Sequence, residues 1–228
     1  MKNVETFYSK QPSIPYHIRT LAMGLMLILC AIFGTVNAQV LLDNGSPTGE
    51  YVGAEPIYEV VDDFYVPGWG WNVSGLRVQG FFLSGGEVGD VALSIYAHDA
   101  STNGPDLDNL IHHIEPRSTD VFVTRSTYLD QSVLRVEANF NSVFLEGQKY
   151  YWIVMDIGRN GGGSKMYILG HTPVTHQEAH LIAGTDVQSS STLMGQAVDA
   201  AFVLTGTEIQ LNDDIVDLLV TDKLKLKQ

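Results

Sequence analysis

The residue types able to do chemistry in this 228-residue chain are acids, histidines and aromatics. Asp43-Asn-Gly45 and the pair Asp62-Asp63 put hard oxygen donors beside expected strand ends. Asp99, Asp106 and Asp108 add carboxylates to a stretch that also holds Asn103 and Asn109. Calcium takes roughly six to eight oxygens, so carboxylates from two or three loops would have to converge on it. We expect Asp43, Asp62, Asp63 and Asp99 to be the ligands if a structural Ca²⁺ is bound. The competing reading is ordinary turn formation by Asp, Asn and Gly, and the spacing is not that of an EF-hand.

Six histidines follow residue 38, and His176-Gln-Glu-Ala-His180 sets two imidazoles four apart, on one face if that segment is helical. With His171 they form the candidate ligand set for a transition metal such as Zn²⁺ or Cu²⁺. The stretch is not His-Glu-x-x-His, because its Glu comes one residue late, and a metalloprotease base is therefore missing. Glycoside hydrolysis needs two carboxyls about 5–10 Å apart, and spacing alone cannot choose a pair among so many acids. Neither a Gly-x-Ser-x-Gly elbow nor a phosphate-binding Gly-rich loop with its Lys is present. The chain reads as non-catalytic, with a secreted hydrolase or a metal-binding protein as the lesser alternatives.

Aromatics give the better lead. Trp69 and Trp71 flank Gly70 after Pro67, and Tyr150-Tyr151-Trp152 lies in an expected strand. Strand neighbours point to opposite faces, so one of Tyr151 and Trp152 belongs to the core. We expect Trp152 inside, leaving Tyr151 with Trp69 and Trp71 as flat surfaces for stacking a sugar ring.

These residues need a scaffold, and its compartment is legible first. Lys2, Lys10 and Arg19 precede an apolar run over residues 21–33, and Val36 and Ala38 are the small residues of a cleavage site. That is the layout of a secretory signal peptide over 1–38, with an uncleaved anchor as the alternative. The lone cysteine, Cys30, falls in that leader and follows Leu29 rather than the small residue of a lipoprotein signal. The remaining 190 residues carry 10 Lys and Arg against 25 Asp and Glu, a net charge of −15, and no cysteine. Such a chain has no disulfide to lean on. Its charge argues against nucleic acid or anionic lipid as a partner, and no membrane span remains after cleavage. The expected location is outside the cytoplasm: secreted or at the cell surface, with the periplasm as the other option.

Short runs of Val, Ile, Tyr, Phe and Thr alternate with Gly, Asn, Asp and Pro clusters. They predict strands near 40–42, 57–66, 71–83, 91–97, 121–127, 133–140, 150–157, 165–171 and 197–205. In the fourth, Val91, Leu93, Ile95 and Ala97 share one face; in the sixth, Leu134, Val136, Ala138 and Phe140 do. One apolar and one polar face is the antiparallel signature. Helical signals are limited to a turn or two over 175–183 and a tail over 212–227. The fold class is therefore all-β, an antiparallel two-sheet β-sandwich of about nine strands, with one domain over 39–206 and a tail over 207–228.

The order Leu42-Asp-Asn-Gly45, Val61-Asp-Asp-Phe64, Ser94-Ile-Tyr-Ala97 and Asn103-Gly-Pro105 resembles a group of exported bacterial β-sandwich proteins, the PEP-CTERM and choice-of-anchor types. Val143-Phe-Leu-Glu-Gly-Gln-Lys-Tyr-Tyr-Trp152 and Ala201-Phe-Val-Leu-Thr-Gly206 look like the same group. The resemblance implies a jelly-roll domain serving as a cell-surface or matrix module, usually without assigned activity. Residues 207–228 show no Pro-Glu-Pro signal, so anchoring by that route is not expected. The functional expectation is a surface or extracellular-matrix protein whose partners are polysaccharide or other surface proteins. A carbohydrate-binding module using exposed aromatics is the alternative.

Overall fold

Alternating apolar residues, interrupted by glycine-rich turns, become strands throughout the computed structural model, which describes residues 38–53, 58–174 and 176–210. In chain order the strands are β1 (Gln39–Asp43), β2 (Glu50–Val52), β3 (Glu59–Val66), β4 (Gly70–Phe81), β5 (Val88–Asp99), β6 (Gly104–Ile114) and β7 (Val121–Tyr128). They continue as β8 (Gln131–Glu146), β9 (Lys149–Arg159), β10 (Tyr167–His171), β11 (His180–Ala183) and β12 (Asp186–Ser189). A single turn of helix, α1 (Ser190–Met194), then precedes β13 (Asp199–Ala200) and β14 (Phe202–Glu208).

Two antiparallel sheets result, as expected for an all-β sandwich. The six-stranded sheet runs β12-β11-β3-β9-β5-β6. The eight-stranded sheet centres on β4, which has β14 and then β1 on one side and β8 and then β7 on the other. Beyond the end of β14, β10 takes its place beside β4 and carries β2 and β13. The chain winds between the layers, β3 to β4 to β5 and β8 to β9 to β10, in the manner of a jelly roll.

Between the sheets lies an aromatic core. Phe64 stacks on Trp71 of the facing sheet at 6.3 Å and on Tyr151 at 5.9 Å, and Phe202 meets it edge-on at 6.5 Å. Val60, Leu93, Ile95, Ile153, Ile168 and Leu204 fill the space around them and are buried. A second, smaller cluster of Val61, Trp152, Val154 and Ile182 occupies the other face of the six-stranded sheet. That sheet is therefore sealed on both sides over part of its area.

Several sequence expectations change. There are fourteen strands among the described residues rather than about nine. Residues 180–183, expected as part of a helical turn, form β11. Residues 104–109, expected as part of a loop over 99–109, open the edge strand β6. Ser189 caps α1 by accepting a hydrogen bond from the Thr192 amide, a short helix that the periodicity did not announce. The expected leader over 1–38, all but its last residue, and the expected tail helix over 212–227 lie outside the described residues.

Candidate functional site

The outer face of the six-stranded sheet gathers His98, His176 and His180 around Trp152 and Tyr150. Register explains why. Tyr65 pairs with Tyr150, and Asp63 pairs with Trp152, which also pairs with Tyr96. Directly opposed residues in antiparallel strands share a face, so these side chains stand in adjacent rows. A bulge in β6, between the Ala97–Asp106 and Tyr96–Leu110 pairs, brings Leu107 over the same face. On the opposite side the segment before β11 supplies His176, and β11 itself opens with His180.

Trp152 forms the centre and is fully buried. Its indole Nε1 donates to Nδ1 of His98 at 3.1 Å. Indole can only donate, so Nδ1 accepts and the ring proton of neutral His98 sits on Nε2. His180 meets the indole edge-on at 4.9 Å, and its Nδ1 donates to the Glu178 carbonyl at 2.9 Å. Burial lowers the pKa of His180, which keeps it neutral with Nε2 as an acceptor. The two imidazoles thus offer opposite tautomers on either side of one ring.

Tyr150 forms the accessible part. It is 40% exposed, with Tyr65 at 4.9 Å, His98 at 5.7 Å and His176 at 5.8 Å. It lines a cleft of about 410 Å³ together with His98, Asn109, Phe144, Glu146 and Lys149. Asp63, on the same face, is only 3% exposed. The Gln177 amide donates to its Oδ1 at 3.1 Å, while Oδ2 is buried with no hydrogen-bond partner among the described residues. Burial pushes this carboxyl up to about 6, against the opposing pull of the Gln177 amide and of His176 and His98.

The expected sugar platform is redistributed. Trp69 is 62% exposed, as expected, but Trp71 and Tyr151 are core residues. Gly68 and Gly70, both at positive φ, break the alternation and turn Trp71 inward against Phe64. Tyr151 and Trp152 are both buried, because the strand they share has a core on each face; Tyr151 donates from its hydroxyl to the Glu146 carbonyl at 3.2 Å. Tyr150 is the exposed member of the trio. Alternation legible in the sequence already placed Tyr150 and Trp152 on one face; the second core was not legible.

The expected calcium ligands do not converge. Asp43 is exposed and accepts from the Gly45 amide at 3.2 Å, as a turn former does. Asp62 points between the sheets, where Asn44 Nδ2 and the Ala200 amide donate to Oδ2 at 3.2 and 2.7 Å. Burial, with the charges of Asp199 and Asp63, raises its pKa well above the ordinary range. Asp63 faces the other way, and Asp99 caps its own loop through Ser101 and Thr102. His171 is buried beside Asp199, with Nε2 and Oδ2 3.8 Å apart, and lies in the other sheet from His180. Only His176 and His180 of the expected histidine trio share a neighbourhood, joined there by His98. No group of three or more His, Cys, Asp or Glu among the described residues is arranged to hold a metal ion.

No protein-family model, curated protein or solved structure matches this chain. The site is accordingly read from its own geometry. A flat, half-open ring beside imidazoles, amide groups and a buried carboxyl is suited to binding a ligand with an apolar face and a hydroxylated edge.

Proposed function

We propose that this chain is an exported bacterial surface or matrix protein that binds glycan, without catalysis, on the outer face of its six-stranded sheet. The observation that carries the reading is Tyr150. Its ring stays exposed in a cleft while polar side chains that can donate and accept hydrogen bonds, His98 and His176, stand beside it. A pyranose ring presents axial C–H groups to such a ring and hydroxyls to its rim. Nearby, Asp63 Oδ2 is a buried acceptor with no hydrogen-bond partner among the described residues, an arrangement that costs stability. Trp69 gives a second exposed ring at the adjoining β3–β4 turn.

The test is titration of the purified chain with a panel of soluble polysaccharides, followed by calorimetry on any that bind. Tyr150→Ala should weaken binding about tenfold, the worth of roughly 1–2 kcal/mol of ring contact. Tyr150→Phe should retain most of it. Silence across the panel from folded protein, or an unchanged affinity in Tyr150→Ala, would sink the reading.

A further inference from the structure

Away from that cleft, one amine and two carboxyls meet on the six-stranded sheet. Glu59 opens β3 one step beyond the Val60–Met155 pair, which sets it across from Asp156 on β9. Lys165 bridges to Gly158, two residues past Asp156, just before the chain leaves for the other sheet. Its Nζ contacts Asp156 Oδ1 and lies 3.7 Å from Glu59 Oε1. All three side chains are half-buried.

Two carboxyls directly opposite one another repel unless one keeps its proton. Burial and the neighbouring charge of Asp156 both act to keep Glu59 protonated, although Lys165 opposes them. The group therefore contains an amine nucleophile, a carboxyl carbon within its reach, and a carboxylic acid beside both.

We propose that Lys165 and Asp156 condense into an intramolecular isopeptide bond, with Glu59 moving the protons. Lys165 gives up one proton to the carboxyl pair, and the neutral Nζ attacks Cγ of Asp156. A Cγ–Nζ bond forms and one Cγ–O bond breaks. The departing oxygen takes two of the three ammonium protons and leaves as water, and the amide nitrogen keeps the third. Glu59 ends as it began, and no oxidant or second substrate is consumed.

The position gives the bond a purpose. Gly161, Gly162 and Gly163 all sit at positive φ in the turn between Asp156 and Lys165. Three consecutive glycines make the unfolded chain unusually free there. A covalent link across the turn removes that freedom, as a disulfide would, in a chain whose one cysteine lies in the expected leader.

Mass spectrometry of the purified chain decides the matter. The wild type should weigh one water less than its sequence. In a tryptic digest, cleavage at Arg159 should leave the Asp156 and Lys165 peptides joined as one branched species, with no cut after Lys165. Lys165→Arg should restore full mass. Asp156→Asn should lose ammonia instead of water, since the same amide then forms from a carboxamide. Glu59→Gln should slow bond formation about 100-fold or more, the usual worth of a positioned acid. Full mass and separate peptides in the folded wild type would overturn the proposal. So would water loss that survives Lys165→Arg, because that would mark a cyclic imide at an aspartate.

Discussion

Asp63 shows how one side chain can be both a strain on the fold and a reason for the site. Folded, it holds its proton up to about pH 6; unfolded, it would release it near 3.8. Between those values the folded state binds more protons, so stability falls as pH rises from about 4 to about 6 and stays lower above. A displacement of that size is on the order of 2–3 kcal/mol. Asp63→Asn should therefore raise the melting temperature at pH 7 and flatten its dependence between pH 4 and 6, as followed by circular dichroism. A variant that melts lower at pH 7 would contradict this account. The residue types at this site are legible in the sequence as acids, histidines and a Tyr-Tyr-Trp run. Their grouping is not, because His98, Asp63 and His176 come from three separate segments that strand pairing and the chain before β11 bring together.

At the scale of elements, strands with one apolar face could be read and the others could not. β5 and β8 alternate clearly because one side of each packs into the core. β6 reads Gly-Pro-Asp-Leu-Asp-Asn-Leu-Ile-His-His-Ile; as a largely exposed edge strand it needs little alternation. β11 and β12 are four residues each, too short to show a period. Glycines mark where strands crowd. A Cβ on Gly80 would sit 2.1 Å from the Tyr167 carbonyl oxygen, at the point where β10 joins β4. Gly80→Ala should destabilise the protein by at least about 1–3 kcal/mol, since backbone on both sides must give way. Urea titration would measure it, and an unchanged midpoint would mean that this junction is looser than described.

The molecule as a whole carries 26 acids and 13 lysines and arginines, a net charge of −13. Four described cations are paired locally: Arg117, Arg135, Lys149 and Lys165. Most of the acid excess therefore has no compensating cation, and self-repulsion favours the expanded chain. Raising salt from about 0.01 M to about 0.15 M shortens the screening length from about 30 Å to about 8 Å. The melting temperature should rise by a few degrees across that range, and a fall would mean that local ion pairs outweigh the net charge.

β9 lies inside the six-stranded sheet, with the inter-sheet core on one face and the Trp152 cluster on the other. Tyr150 stands at the start of the strand that has least room to move. The floor of the cleft is thus set when the protein folds. Little order remains to be created when a ligand arrives, so its residence time should depend on contacts at the rim rather than on rearrangement beneath it.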